Sequence, residues 1–179
     1  MTKTKEAMLR ISTADLCDRF SDDPNLGLQV SLPGLQPFGG VKFLFGPAAT
    51  ISCVDDNALL RETVGTPGEG RILVVDGHAS THRALLGDIQ AARAMHNGWG
   101  GIIVNGYVRD RLSLAALPFA IFALGTVPLR PLKAASGEIG GELDFLNVKV
   151  RPGMWIYTDL DGMIVLNQAV EIPLTSNVE

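Results

Sequence analysis

One segment of the chain, residues 71–106, constrains the fold more than any other. A first strand is predicted over residues 71–77, RILVVDG, a continuous apolar run that ends at Asp-Gly, as expected for a strand covered on both faces. Residues 85–98, LLGDIQAARAMHNG, carry apolar side chains near positions 86, 89, 92 and 95, a helical period, and Asn97-Gly98 can end that helix. A second strand is predicted over residues 101–106, GIIVNG. Together they predict an α/β fold with a central βαβ unit, whose two strands are parallel.

The other elements are shorter, and turns separate them. We predict a helix from a cap at Ser12 or Thr13 to about Arg19, a loop over 21–40 and turns within 45–49. We further predict β runs at 49–54 and 121–130, a short helix at 57–64, and strands around a Pro-Gly and an Asp-Gly turn from 145 onward. Because the chain has no internal repeat and no break in composition, we expect one domain over residues 1–179. Residues 1–11 are then a loose lead-in and residues 168–179 a tail.

Composition excludes several classes of protein. The net charge is −4 and no run of Lys or Arg occurs, so nothing indicates nucleic-acid binding. Cys17 and Cys53 form no CxxC motif and are expected to be reduced thiols. No apolar stretch approaches the roughly 18 residues that span a bilayer, and the N-terminus lacks a signal peptide's apolar core. The sequence therefore predicts a soluble, cytoplasmic protein that binds no membrane.

The βαβ unit predicts where a ligand would bind. A helix of about 10 residues travels roughly 16 Å, and a returning strand of about five residues travels nearly as far. Residues just after the second strand therefore return beside the start of the helix, which brings Gly87 and Asp88 next to Arg109 and Asp110. Ligands of open α/β sheets bind at this carboxyl end of the strands.

The groups that meet there are chemically complementary. Free N–H groups of residues 87–90 (Gly87, Asp88, Ile89 and Gln90) form an anion site at the helix N-terminus. Arg109 offers a planar fork suited to a carboxylate, and Asp110 can hold a hard cation such as Mg²⁺. A small molecule with a carboxylate and an adjacent carbonyl would fit. The alternative is that Arg109 and Asp110 form an ordinary surface salt bridge after a strand, since a helix that starts at Gly-Asp is also common.

Four strings, taken together, resemble the RraA-like family, which includes the 4-hydroxy-4-methyl-2-oxoglutarate aldolases. They are VVDG at 74–77, RALLGD at 83–88, NGWGGIIVNGYVRD at 97–110 and YTDLDGMIVL at 157–166. The resemblance runs in order from about Ser12 to about Leu166. Aldolases of the family carry an acidic residue, twenty intervening residues and then Arg-Asp, and Asp88 and Arg109-Asp110 have this spacing.

The resemblance implies a swivelling β/β/α domain that assembles as a homotrimer with active sites at subunit boundaries. It also implies a pyruvate-type substrate held by the amides of residues 87–90 and by Arg109, with Asp110 on the side of a Mg²⁺ or Mn²⁺ ion. The implied activity is a metal-dependent (class II) retro-aldol cleavage of 4-hydroxy-4-methyl-2-oxoglutarate or its 4-carboxy relative, or decarboxylation of oxaloacetate. Both routes pass through a pyruvate enolate. Asp88 is then the candidate for positioning water or acting as a general base.

Two features differ from the family pattern, and two other functions stay open. The glycine-rich loop after the first strand reads GHAST at 77–81, where His78 either contacts substrate or fills the loop. The segment RLSLAALPF after Asp110 lacks the acidic residues and glycine of the family. A Schiff-base route is disfavoured because we expect none of the five lysines, Lys133 included, in this constellation. Two other functions remain open. One is a non-catalytic inhibitor of an RNA-degrading endonuclease; the family's regulator of this kind lacks the acidic residue of the Arg-Asp pair, whereas this chain keeps Asp110. The other is a protein that binds 2-oxo acids without catalysis.

Overall fold

A computed structural model describes residues 12–171 of the chain. Its helices are α1 (Thr13–Phe20), α2 (Ala58–Thr63), α3 (Asp88–His96) and α4 (Arg111–Ala116). Its strands are β1 (Gln29–Val30), β2 (Gln36–Pro37), β3 (Leu44–Ser52), β4 (Ile72–Asp76), β5 (Ala84–Leu86), β6 (Gly101–Val108), β7 (Ile121–Thr126), β8 (Glu138–Ile139), β9 (Leu143–Phe145), β10 (Val148–Val150), β11 (Trp155–Thr158) and β12 (Met163–Leu166). The predicted lead-in at 1–11 and residues 172–179 of the predicted tail lie outside this range.

A mixed sheet in the order β1-β12-β11-β3-β4-β6-β7-β2 forms the centre of the fold. Its four middle strands β3, β4, β6 and β7 run parallel, with Val74 opposite Ile103 and Asp76 opposite Asn105. Both outer flanks pair antiparallel. The predicted βαβ unit is confirmed, since β4 and β6 are parallel neighbours and α3 lies between them in the chain.

Alternate residues of the central strands pack into two cores. Leu73 and Val75 of β4 face the core that contains Leu60 of α2 and Ala91 of α3. Ile72 and Val74 face the opposite core, which the hairpin β9–β10 completes. Buried on both faces, β4 and β6 need side chains that are apolar at nearly every position. This layering of hairpin, sheet and helices confirms the predicted β/β/α fold.

The N-terminal helix is held by polar contacts as well as by packing. Ser12 and Asp15 form the reciprocal capping box that stabilises a helix start, so the predicted start of α1 is confirmed. The side chain of Asp159, which follows β11, accepts hydrogen bonds from the backbone N–H and the hydroxyl of Thr13, at 2.6 and 2.8 Å. The two thiols are free, Cys53 in the core and Cys17 partly buried. Burial raises the pKa of Cys53 to about 12, so this thiol stays protonated at neutral pH.

Several predicted boundaries were wrong, each for a local reason. Residues 45–49 belong to β3 rather than to turns. Pro47 is tolerated there because β4 begins to pair only at Ala48. Strand β7 ends at Thr126 instead of reaching residue 130, because Pro128 has no N–H to donate to a neighbouring strand. The predicted loop at 21–40 contains the two-residue strands β1 and β2.

The prediction for the apolar face of α3 was wrong at Ile89, although Leu86 and Met95 do contact the core. Its buried residues are Ala91 and Ala94, whereas Ile89 is 73% exposed. Alanine has the smallest side chain that still favours a helix, which allows α3 to lie close to the sheet. Ile89 is thereby left at the surface in the first turn of the helix. Within residues 12–171, no helix combines the length and hydropathy that crossing a bilayer requires.

The two leucines Leu73 and Leu160 provide a matched test of the core. Leu73 of β4 is fully buried and Leu160, in the turn after β11, is 69% exposed. We expect Leu73→Ala to lower the free energy of unfolding by about 2–5 kcal/mol, because it leaves a cavity in the sheet. Leu160→Ala should change it by less than about 0.5 kcal/mol. Urea denaturation monitored by circular dichroism measures both, and equal losses would contradict this description of the core.

Candidate functional site

All six predicted site residues line one cleft at the carboxyl ends of the central strands. The cleft has a volume of about 360 Å³, which is in the range of small-molecule sites. It is lined by Asn57, Arg61, Gly87, Asp88, Ile89, Gln90, Arg109, Asp110, Arg130, Pro131 and Lys133. The sequence-based geometry therefore brought the correct segments together, although it identified only about half of the lining.

Strand β5, which the sequence did not predict, holds the two halves of the predicted site together. It pairs parallel with β6, so that Leu86 lies beside Val108. The carbonyl of Leu86 then accepts a hydrogen bond from the N–H of Arg109 at 2.9 Å. Since Gly87 follows Leu86 directly, this one bond fixes the start of α3 against the end of β6.

Gly87 is required by the close approach of Asp110. A Cβ atom built on Gly87 would lie 2.6 Å from Oδ2 of Asp110 and 3.2 Å from Nε of Arg109. The glycine has an extended backbone, with φ at −131° and ψ at −179°, so space rather than conformation demands it. Asp110 itself is left-handed, with φ at +62°, a conformation that is costly for residues with a side chain. The strained backbone of Asp110 thus occurs where its carboxylate lies against the start of α3.

The amides at the start of α3 are only partly free. The first backbone bond of this end runs from the N–H of Ala91 to the carbonyl of Gly87, at 3.1 Å. The carboxylate of Asp88 accepts from the N–H of Ile89 at 2.7 Å. Within residues 12–171, the N–H groups of Gly87, Asp88 and Gln90 have no acceptor. An incoming anion thus finds three amides, and it gains the fourth by displacing the Asp88 side chain.

Arg109 and Asp110 are paired loosely. Nε of Arg109 lies 3.5 Å from Oδ2 of Asp110, and the two side chains are 38% and 35% exposed. Among the described residues, the two terminal nitrogens of Arg109 donate no hydrogen bond. A half-exposed ion pair through one nitrogen contributes little to stability. It leaves the guanidinium fork available to a ligand.

The donor atoms of the cleft suit a hard divalent cation. Asp88 and Asp110 supply carboxylate oxygens. The amide oxygens of Asn57 and Gln90 are covered from solvent and accept no hydrogen bond from the part of the chain that the structure describes. Mg²⁺ prefers such oxygen ligands, commonly with one or two carboxylates and several waters. Within residues 12–171, no three His, Cys, Asp or Glu side chains converge, so an ion here would complete its shell with waters and ligand oxygens.

Three cationic residues of the lining escaped the sequence analysis. They are Arg61 in the last turn of α2, and Arg130 and Lys133 in the connection between β7 and β8. The expectation that no lysine joins the site was wrong for Lys133. Its side chain is exposed, however, whereas a Schiff-base lysine needs a desolvated environment. These three positions belong to no motif or period, so no signal in the sequence indicated that they would reach the cleft.

His78 lies outside this cleft. Its ring nitrogen Nε2 lies 2.9 Å from the hydroxyl of Ser52, and its backbone N–H donates to the carboxylate of Asp76 at 2.8 Å. Both His78 and Ala79 are left-handed, with φ at +53°. These contacts hold the loop after β4 in place, which agrees with the loop-filling role of His78.

The chain is similar to known proteins over most of its length. A family profile described as RraA-like, Aldolase/RraA, matches residues 13–165. A Laribacter hongkongensis protein with the provisional name 4-hydroxy-4-methyl-2-oxoglutarate aldolase is 46% identical over 152 residues, which cover 85% of this chain and 93% of that protein. Further bacterial relatives, 37–42% identical, carry the same name.

Two solved structures share the fold over almost their whole length. One is named S-adenosylmethionine: 2-dimethylmenaquinone methyltransferase, from Geobacillus kaustophilus HTA426. It is 39% identical, has a TM-score of 0.85, and the match covers 89% of this chain and 97% of that one. The other is the RNA-processing inhibitor RraA from Thermus thermophilis, 33% identical with a TM-score of 0.85, covering 90% and 96%.

The close approach at Gly87 is testable by adding a single methyl group. We expect Gly87→Ala to displace the Asp110 carboxylate, while the free energy of unfolding changes by no more than about 1 kcal/mol because a partly exposed side chain can rotate away. Gly106→Ala is the control, since its Cβ would make only ordinary contacts of 3.5 Å with Leu85 and Val104. Crystal structures and denaturation curves of both variants provide the measurement. An Asp110 side chain that stays in place in Gly87→Ala would contradict this account.

Proposed function

The chain belongs to the RraA-like family, and on that premise we propose that it is a carbon–carbon lyase acting on 2-oxo acids. The proposed substrate is of the 4-hydroxy-4-methyl-2-oxoglutarate type, and oxaloacetate is proposed as a second substrate. The observation that supports this best is the cleft, in which free helix amides, the open guanidinium of Arg109 and two carboxylates meet. These are the groups that bind a carboxylate with an adjacent carbonyl.

In the proposed reaction, residues of the cleft bind the substrate carboxylate and stabilise the negative charge that develops on the substrate. The substrate carboxylate binds to the free N–H groups at Gly87, Asp88 and Gln90 and to the terminal nitrogens of Arg109. When the C3–C4 bond breaks, its electron pair moves to C3 and onto the 2-oxo oxygen as a pyruvate enolate. Arg109 and the positive end of the α3 dipole stabilise the negative charge that develops there.

A divalent cation, Mg²⁺ or Mn²⁺, is the proposed cofactor. Asp110 would hold it, and Asp88 lies in the same lining. When bound, such a cation polarises the 2-oxo group as a Lewis acid. The left-handed backbone of Asp110 and the missing side chain at Gly87 together keep the carboxylate against the helix start, where the substrate's 2-oxo acid end would bind.

Asp88 is proposed to accept the proton that the retro-aldol reaction releases. In that reaction the 4-hydroxyl loses its proton as C3–C4 breaks, which leaves a second 2-oxo acid and the enolate. An incoming carboxylate that takes the N–H of Ile89 frees the Asp88 carboxylate to accept this proton, directly or through a water. Oxaloacetate has no 4-hydroxyl and loses CO₂ instead, so its cleavage needs no base at this step.

A second candidate function comes from the Thermus thermophilis relative, which is named an RNA-processing inhibitor. An inhibitor acts through its surface and needs no carboxylate in the cleft. This chain keeps Asp110 next to Arg109 and in the lining, and that arrangement favours the lyase. The methyltransferase name of the other neighbour gains no support from the cleft, since none of the side chains lining it is aromatic and the loop at 77–81 is not a glycine-rich cofactor turn.

We propose a homotrimer with the cleft at a subunit boundary. The trimer rests on family resemblance, and its location rests on apolar side chains around the cleft. Ile89 is 73% and Leu112 of α4 is 89% exposed, and Leu129 and Leu132 flank the cleft residues Arg130 and Pro131. Clustered exposed apolar residues mark interaction surfaces. A neighbouring subunit that covers these apolar side chains would also exclude water from the cleft.

Pyruvate release, coupled to lactate dehydrogenase, tests the lyase with Mg²⁺ and with EDTA. We expect turnover of both substrates to need metal, and Asp110→Asn and Arg109→Gln each to lower kcat/KM by about 100-fold, since each removes a group that stabilises charge. Asp88→Asn should slow cleavage of 4-hydroxy-4-methyl-2-oxoglutarate more than decarboxylation of oxaloacetate. Release no faster than that of metal alone from either substrate would refute the lyase. Capture of a ribonuclease by the purified protein, with inhibition of its activity, would then support the inhibitor.

The proposed interface is testable at Leu112. A charged side chain there should prevent a neighbouring subunit from packing against the apolar side chains around the cleft. Leu112→Glu is therefore expected to shift the protein from trimer to monomer in sedimentation velocity. Leu160→Glu is the matched control, because Leu160 is similarly exposed but follows β11. A wild-type protein that sediments as a monomer at every concentration would overturn the trimer.

A further inference from the structure

The cleft contains more positive charge than a single carboxylate requires. Four cationic side chains (Arg61, Arg109, Arg130 and Lys133) and two carboxylates line it, so its formal charge is +2, whereas the whole chain carries −4. A positive cleft on an acidic protein concentrates anions at that place. The proposed binding of the 2-oxo acid end uses only Arg109 and the amides of α3.

Two of the remaining cations are the arginines Arg61 and Arg130. Among the described residues, the guanidinium groups of Arg61 and Arg130 make neither an ion pair nor a hydrogen bond. Their side chains are exposed and reach the lining from different elements, α2 and the β7–β8 connection. A planar guanidinium matches a carboxylate with two parallel hydrogen bonds, whereas a lysine acts as a point charge.

The backbones at these two arginines are held in the same way. Nη1 of Arg93 donates to the carbonyl of Arg61 at 3.2 Å, and Nη1 of Arg83 donates to the carbonyl of Arg130 at 2.8 Å. Each main chain is thereby fixed by another arginine, while the side chain of the cleft arginine stays unengaged. The two supporting guanidinium groups also add positive charge nearby.

We propose that Arg61 and Arg130 form a subsite for a second, distal carboxylate, so that the cleft selects 2-oxo dicarboxylates over 2-oxo monocarboxylates. This inference rests on the proposed function of the same cleft, because it assumes that the 2-oxo acid end lies at Arg109 and α3. The two arginines then determine specificity. They hold the part of the substrate that leaves with the cleaved fragment and touch no atom of the C3–C4 bond.

Two unreactive acids of equal chain length isolate the distal carboxylate. 2-Oxoglutarate and 2-oxopentanoate share the 2-oxo acid end, and only the first has a carboxylate at C5; neither has the 4-hydroxyl that retro-aldol cleavage needs. Titration calorimetry with Mg²⁺ present should show 2-oxoglutarate binding at least about tenfold more tightly. Arg61→Gln and Arg130→Gln should each remove most of that preference and leave the affinity for 2-oxopentanoate within about twofold of wild type.

Two control variants show whether the loss is specific. Arg109→Gln should weaken both acids equally, because it acts on the shared end. Arg151→Gln removes an exposed arginine outside the cleft and should change neither affinity. Arg61→Lys, which keeps the charge without the fork, should retain an intermediate preference. Equal affinity of the wild-type protein for the two acids, or a preference that survives both arginine variants, would overturn the subsite.

Kinetics separate this inference from the lyase itself. The ratio of kcat/KM for 4-hydroxy-4-methyl-2-oxoglutarate to that for 4-hydroxy-2-oxopentanoate, which lacks the distal carboxylate, should fall at least about tenfold in Arg61→Gln. Turnover without discrimination would refute the subsite and keep the lyase. Discrimination in calorimetry without any turnover would keep the subsite and refute the lyase.

Discussion

The parallel pairing of β4 with β6 determines where chemistry can take place in this fold. Because both strands are buried on both faces, their few polar side chains lie toward their carboxyl ends. There the buried carboxylate of Asp76, the last residue of β4, accepts a hydrogen bond from the side chain of Asn105 of β6 at 2.7 Å, which links the two strands through side chains as well as backbone. Because β4 and β6 are parallel, the connecting helix α3 begins at the carboxyl end of β4 and runs back toward the start of β6. The unpaired N–H groups at the start of α3 therefore face the same edge of the sheet. The proposed anion site is a consequence of this crossover.

A second constraint acts within that edge, where two chain segments approach each other more closely than side chains normally allow. The bond from Arg109 to the carbonyl of Leu86 holds the segments together, Gly87 leaves the space, and Asp110 accepts a left-handed backbone. Any one of these alone is ordinary. Their coincidence places a carboxylate, a guanidinium and free amides around one volume, and this arrangement distinguishes the cleft from a surface salt bridge after a strand.

The sequence predicted this half of the cleft because its signals are local. Strands β4 and β6 are continuous apolar runs, and the distance along helix and strand is enough to bring residues 87–88 beside 109–110. The other half could not be found in that way. Arg61 and Arg130 are 69 positions apart, and no periodicity links the last turn of α2 to a proline-containing connection. Strand β5 escaped for a related reason, since three residues before a helix give no pattern of their own. Ile89 of α3 was mispredicted as buried because hydrophobicity favours it over alanine, whereas packing close against the sheet favours the smaller side chain.

In the proposed function, the two halves of the cleft separate substrate selection from cleavage. Groups that stabilise a developing charge must be fixed before the reaction, and Arg109 and Asp110 follow a buried strand directly. Groups that only select the substrate can lie on more variable segments, and Arg61 lies in a short helix while Arg130 lies in a connection. On the proposed function, a change in the second set would alter which acid binds without disturbing the enolate chemistry at the first. Relatives of one fold can therefore differ in substrate while they keep the same edge of the same sheet for catalysis.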